Sequence, residues 1–226
     1  MSCFKVLCTA AALAFAGCIA TAQTTVTNLF QNFNQVIPDG QATGMSDTEM
    51  LTFSNPLFAS ITNVQVVLTI AGGFNGDLYG YLMHDNGFAV LLNRVGRTAG
   101  NPVGYANGGM NVTLSVAGND VHNYQAFSPT MNGGEVTGTW APDGRYVDPQ
   151  SVLATDEPTA LLGSFNGTDP NGSWTLFLAD LDFGQQSTLV QWGVIISAVP
   201  EPSTLALMGL GGFTLGMRLL RRRTAR

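Results

Sequence analysis

The sequence predicts an all-β protein, an antiparallel β-sandwich of short strands, and three observations predict it. Apolar residues alternate with polar ones over short runs, 27 glycines and 16 asparagines cluster where those runs end, and no segment sustains a helical period. Charged residues make up only 11% of the 226-residue chain while apolar types reach 45%, a balance that excludes intrinsic disorder.

Taken in chain order, residues 1–22 read as a secretory signal peptide. Lys5 precedes the apolar stretch Val6–Ile19, which ends in Ala20-Thr21-Ala22, and cleavage is expected after Ala22. A lipoprotein reading of Phe15-Ala16-Gly17-Cys18 is the alternative. All three cysteines (Cys3, Cys8, Cys18) fall in this segment, so cleavage behind Ala22 leaves a body without disulfides or thiolate chemistry.

The body, residues 23–198, carries the strand signals. In Asn63–Ile70, Val64, Val66, Leu68 and Ile70 alternate with Asn63, Gln65, Val67 and Thr69, giving one wholly apolar face. Asp77–His84 and Phe88–Leu92 read as the arms of a hairpin around Asp85-Asn86-Gly87, with Asn and Gly expected to supply its left-handed conformations. Asn111–Val116 places Val112, Leu114 and Val116 together before Ala117-Gly118-Asn119-Asp120. Trp174, Leu176 and Leu178 share a face after the turn Asp169-Pro170-Asn171-Gly172. Thr188–Ile196 closes the body, with Val190, Trp192, Val194 and Ile196 against Leu189, Gln191, Gly193 and Ile195.

Charge separates this body from both ends. Residues 23–198 hold 14 acids and only Arg94, Arg97 and Arg145, whereas Arg218, Arg221, Arg222, Arg223 and Arg226 crowd the last positions. A strongly acidic body excludes a nucleic-acid partner, which requires a basic face. At the C-terminal end, Val199-Pro200-Glu201-Pro202 leads into the apolar run Leu205–Met217. As a helix that run reaches about 20 Å, a marginal transmembrane span, and the arginines would hold its end in the cytoplasm.

Pro-Glu-Pro, a short span and an Arg-rich end together resemble the PEP-CTERM sorting signal of Gram-negative bacteria. The resemblance implies that Pro200, Glu201 and Pro202 are recognised by an exosortase, a membrane-embedded cysteine transpeptidase. It implies transient inner-membrane insertion, then placement at the cell surface or in the extracellular matrix, with exopolysaccharide as a possible associate.

A second resemblance covers roughly residues 35–198. Gly76-Asp77-Leu78 opening a strand, Gly172-Ser173-Trp174-Thr175-Leu176 leading to Ala179-Asp180, and Leu189-Val190-Gln191-Trp192 in the last strand resemble the P (P/Homo B) domain of proprotein convertases. That family implies a jelly-roll β-sandwich of the galactose-binding-like type. In convertases the domain accompanies a subtilisin-like serine endopeptidase, for which this chain has no room.

Candidate site residues follow from residue type. His84 and His122 are the only histidines; neither sits in a nucleophile motif, and both are expected to be surface or turn residues rather than catalytic bases. No enzymatic activity is expected. Asp77, Asp180 and Asp182 are candidate ligands for Ca²⁺, with strand-end capping as the competing role for Asp77 and Asp180. Tyr79, Tyr81, Trp140 and Tyr146 are candidate glycan-stacking residues, because sugar C–H faces pack on aromatic rings. Trp174 and Trp192 keep step with aliphatic neighbours and are expected in the core. The functional expectation is a non-catalytic exported surface or matrix protein; a calcium- or carbohydrate-binding module and an accessory domain of a separate peptidase are the alternatives.

Overall fold

The computed structural model describes residues 23–200. The signal peptide, Glu201, Pro202 and the apolar run Leu205–Met217 lie outside the described residues. Among those described, no helix is long and apolar enough to cross a membrane.

Ten strands form the body: β1 (Thr24–Val36), β2 (Gln41–Leu51), β3 (Ser60–Gly72), β4 (Leu78–His84), β5 (Gly87–Asn93), β6 (Met110–Asp120), β7 (Met131–Asn132), β8 (Glu135–Ala141), β9 (Gly172–Asp180) and β10 (Ser187–Val199). One sheet has six strands in the order β1-β10-β3-β6-β8-β7, and the other has four in the order β2-β9-β4-β5. The pairs are antiparallel except β6 with β8, which run parallel. The wholly antiparallel expectation is corrected there. A connection of 14 residues, part of it the 3₁₀ segment Val121–Phe127, carries the chain back to start β8 alongside β6.

The two sheets bury their facing sides in one apolar cluster. From the six-stranded sheet come Val64, Val66, Leu68 and Ile70 of β3, Val112 and Leu114 of β6, and Trp192, Val194 and Ile196 of β10. From the other come Trp174, Leu176 and Leu178 of β9, with Leu78 and Leu82 of β4. The alternation in β3 and β9 therefore reads directly as inside and outside. Each such aliphatic side chain contributes about 1.5–3 kcal/mol by leaving water.

Irregularities change three expectations. The β10 register shifts between Leu189 and Gln191, so Leu189 is buried and Val190 only partly so. The β6–β8 register shifts between Leu114 and Asn119; this turns Ser115 inward and leaves Val116 60% exposed rather than beside Leu114. In the β4–β5 hairpin, the left-handed residue is Asp85 (φ 49°), not Asn86 or Gly87. Gly87 is required for space, because a Cβ there would land on the buried ring of Phe165.

Candidate functional site

The outer side of the four-stranded sheet carries an aromatic surface. Because Leu78, Gly80 and Leu82 face inward, Tyr79 and Tyr81 must face outward, and Phe177, between Leu176 and Leu178, does the same on β9. Tyr81 and Phe177 are register partners and their rings stack at 4.7 Å with 14° between planes. Tyr79 lies 6.0 Å from Tyr81 and 6.3 Å from Phe177. The row continues through Phe88 of β5, 5.2 Å from Tyr81, to Tyr146, 5.3 Å further on. Tyr146 is 67% exposed. Partial burial, with the neighbouring phenols Tyr81 and Tyr146, pushes the Tyr79 pKa above its ordinary value, so its hydroxyl stays a neutral donor.

Against these rings lies the segment 145–150. The Asn93 side-chain amide donates to the carbonyls of Arg145 and Val147 at 2.9 and 3.1 Å. Arg97 donates to the Pro149 carbonyl at 2.8 Å, and Arg94 reaches Gln150 Oε1 at 3.4 Å. Between segment and sheet is an open cleft of about 310 Å³ bordered by Tyr79, Tyr81, Phe177, Asp148, Pro149 and Gln150.

The start of this segment is fixed by a buried charge network. His122 and Asp143 are both fully buried, with Nδ1 2.7 Å from Asp143 Oδ2. The Arg145 guanidinium binds Asp143 at 3.3 Å and Asp120 at 2.8 Å, and it also donates to the Ala154 carbonyl. The second nitrogen of His122 meets the Arg97 carbonyl oxygen at 3.0 Å. Burial works against the charge on His122, but the hydrogen bond and charge of Asp143, with the Arg97 carbonyl, prevail over Arg145 and raise its pKa. His84 is stacked on Trp174 at 3.9 Å, and its two nitrogens face the carbonyl oxygens of Ser173 and Asp169. The surface or turn placement expected for both histidines is corrected: both are buried. Neither presents a free ring nitrogen to a hydroxyl, as a general base must.

The three candidate calcium ligands do converge, at the ends of β4 and β9, where Leu78 pairs with Asp180. Two of them meet Arg94, which lies 3.5 Å from Asp77 and 3.1 Å from Asp182 and donates to the Gly76 carbonyl. Asp180 accepts from Ser187 at 3.0 Å. Burial and the Asp180 charge push the Asp77 pKa up to about 6 against the pull of Arg94. Among the described residues, no group of three or more His, Cys, Asp or Glu is placed to hold a metal ion. The Arg94 guanidinium thus stands as a positive neighbour beside two of the three candidate Ca²⁺ ligands, Asp77 and Asp182.

Of the four candidate stacking residues, the structure brings Tyr79, Tyr81 and Tyr146 onto one surface. Trp140 is corrected: it is 6% exposed, packed near Tyr124 with its Nε1 donating to the Thr137 carbonyl, so its ring faces are not available to a sugar. Sequence reasoning missed Phe177, although the alternation in β9 left it on the outer face. It also missed Phe88 and the buried arginines Arg94 and Arg145. Pro200 is the last described residue and is buried.

Residues 198–223 match the PEP-CTERM protein-sorting motif. The matched segment begins in the last turn of strand pairing, since Ala198 and Val199 still belong to β10. Such a signal implies an exported protein, sorted at a Gram-negative envelope with exosortase processing. No curated protein matches the chain. Among solved structures, the complex of Aeromonas sobria serine protease with its chaperone is similar at 12% identity and a TM-score of 0.44, covering 80% of this chain and 28% of that one. The serine protease of the same organism gives 12% and 0.43, covering 78% of this chain and 27% of its own. This chain thus spans under a third of the length of either neighbour.

Proposed function

We propose that the chain is a non-catalytic surface or matrix protein, a β-sandwich displayed outside the cell once an exosortase has processed its C-terminal signal. The observation that carries this reading is the sorting motif at residues 198–223, joined to the body directly at the end of β10. The locked ring nitrogens of His84 and His122 support a body without acid–base chemistry. A jelly-roll body like the convertase P domain is part of the reading. It is supported by the three motif segments, which fall at the start of β4, in β9 and in β10.

The test is to compare the protein in producing cells with and without the exosortase. Mass spectrometry should find a mature chain lacking the segment beyond the Pro-Glu-Pro motif. The exosortase-deleted strain, and Glu201→Ala in the intact strain, should accumulate the longer precursor in the membrane fraction. Surface display of the uncut chain in the deleted strain would overturn the proposal.

A further inference from the structure

We propose that the outer face of the four-stranded sheet is a platform for a neutral polysaccharide, on which Tyr79, Tyr81, Phe177, Phe88 and Tyr146 stack against sugar rings. This goes beyond the sorting proposal and does not depend on it, because it stands on ring geometry and charge alone. Sugars present C–H faces that pack on aromatic rings and hydroxyls that need polar partners at the edges. The platform offers both. Its rings form an unbroken row with centroid spacings from 4.7 to 6.3 Å. The hydroxyls of Tyr79, Tyr81 and Tyr146 make no hydrogen bond to another described residue, and across the cleft stand Asp148 and Gln150. Four of the five rings ride on paired strands, so a ligand meets a surface that is already ordered.

Charge selects the polymer. The cations of the described body other than histidine are Arg94, Arg97 and Arg145. Arg94 and Arg145 are buried in ion pairs, and the Arg97 guanidinium is held by the carbonyls of Pro102 and Pro149. The charged group at the cleft is the carboxylate of Asp148. A uronate or sulfated chain would therefore meet the Asp148 carboxylate at the cleft, offset only in part by the Arg97 guanidinium that donates to the Pro149 carbonyl behind it, whereas a neutral chain meets no such repulsion. An apolar protein partner would instead strip water from three phenols and a carboxylate without replacing it.

The experiment titrates the full chain in mild detergent with soluble β-glucan, galactomannan, arabinoxylan, the neutral fraction of the producing cells' exopolysaccharide, and alginate as the anionic comparison. At least one neutral polymer should bind, and Tyr81→Ala should weaken it about tenfold or more, the loss of one good stacking contact. Tyr146→Ala, on an exposed segment, tests the same surface without touching a strand, and Tyr81→Phe should keep most of the binding. Absence of binding to every neutral polymer, a preference for alginate, or binding unchanged in both alanine variants would overturn the proposal. So would sedimentation showing a dimer that Tyr146→Ala dissolves, because a second copy would then occupy the face.

Discussion

At the scale of single residues, Asp77 and His122 give stability the same dependence on pH. The carboxyl of Asp77, ordinarily near 3.8, titrates near 6 in the fold, so the fold favours its protonated form. The associated stability is complete below pH 3.8 and is lost as pH rises through about 6, amounting to at most about 3 kcal/mol. His122, raised above 6.5, is favoured when protonated, and its contribution is lost as pH climbs past that value. Urea unfolding across pH 4–9 should show stability declining in both windows. Asp77→Asn should flatten the lower one and His122→Gln the upper one, and a wild-type profile that rises through both would refute the assignment.

Strands teach a different lesson, because their edges and bulges depend on neighbours rather than on pattern. Gly118 sits in the β6 bulge, where an added Cβ would meet the backbone of Trp140 and Ala141. Backbone cannot step aside as a side chain can, so Gly118→Ala should cost roughly 1–3 kcal/mol in unfolding free energy. A variant as stable as the parent would show that the bulge relaxes freely. Strands β3 and β9 were legible because their central inward positions, Val64 to Ile70 and Trp174 to Leu178, are apolar. In β2 the inward side includes Asp47, half-buried and accepting from Trp192 Nε1 at 2.7 Å, so its pattern never alternates cleanly. The parallel placement of β8 depends on where a long connection returns, and no residue within the strand encodes that.

For the molecule as a whole, the site was readable only in its local part. Tyr79 and Tyr81 stand out from their alternation with Leu78 and Leu82. Phe88 lies on the other arm of the same hairpin, whereas Tyr146 joins them through a contact between segments that the chain pattern does not relate. The charge pairs are still less visible, since Arg94 and Asp182 are 88 residues apart and Arg145 and Asp120 are 25 apart. Trp140 misled because it was singled out by residue type alone, while its ring packs near Tyr124 in the core.

Strand β10 lies between β1 and β3, hydrogen-bonded along both sides, and the chain passes from it straight into the sorting segment. Any load applied through that tether is drawn along the axis of an interior strand. Both flanking ladders then resist together in shear, with many bonds strained at once, where an edge strand pulled sideways would unzip one bond at a time. Where the sorting segment serves as a tether, the body hangs from a mechanically well-secured strand. In a flow that drags on a displayed domain, the sandwich should hold until both ladders fail together.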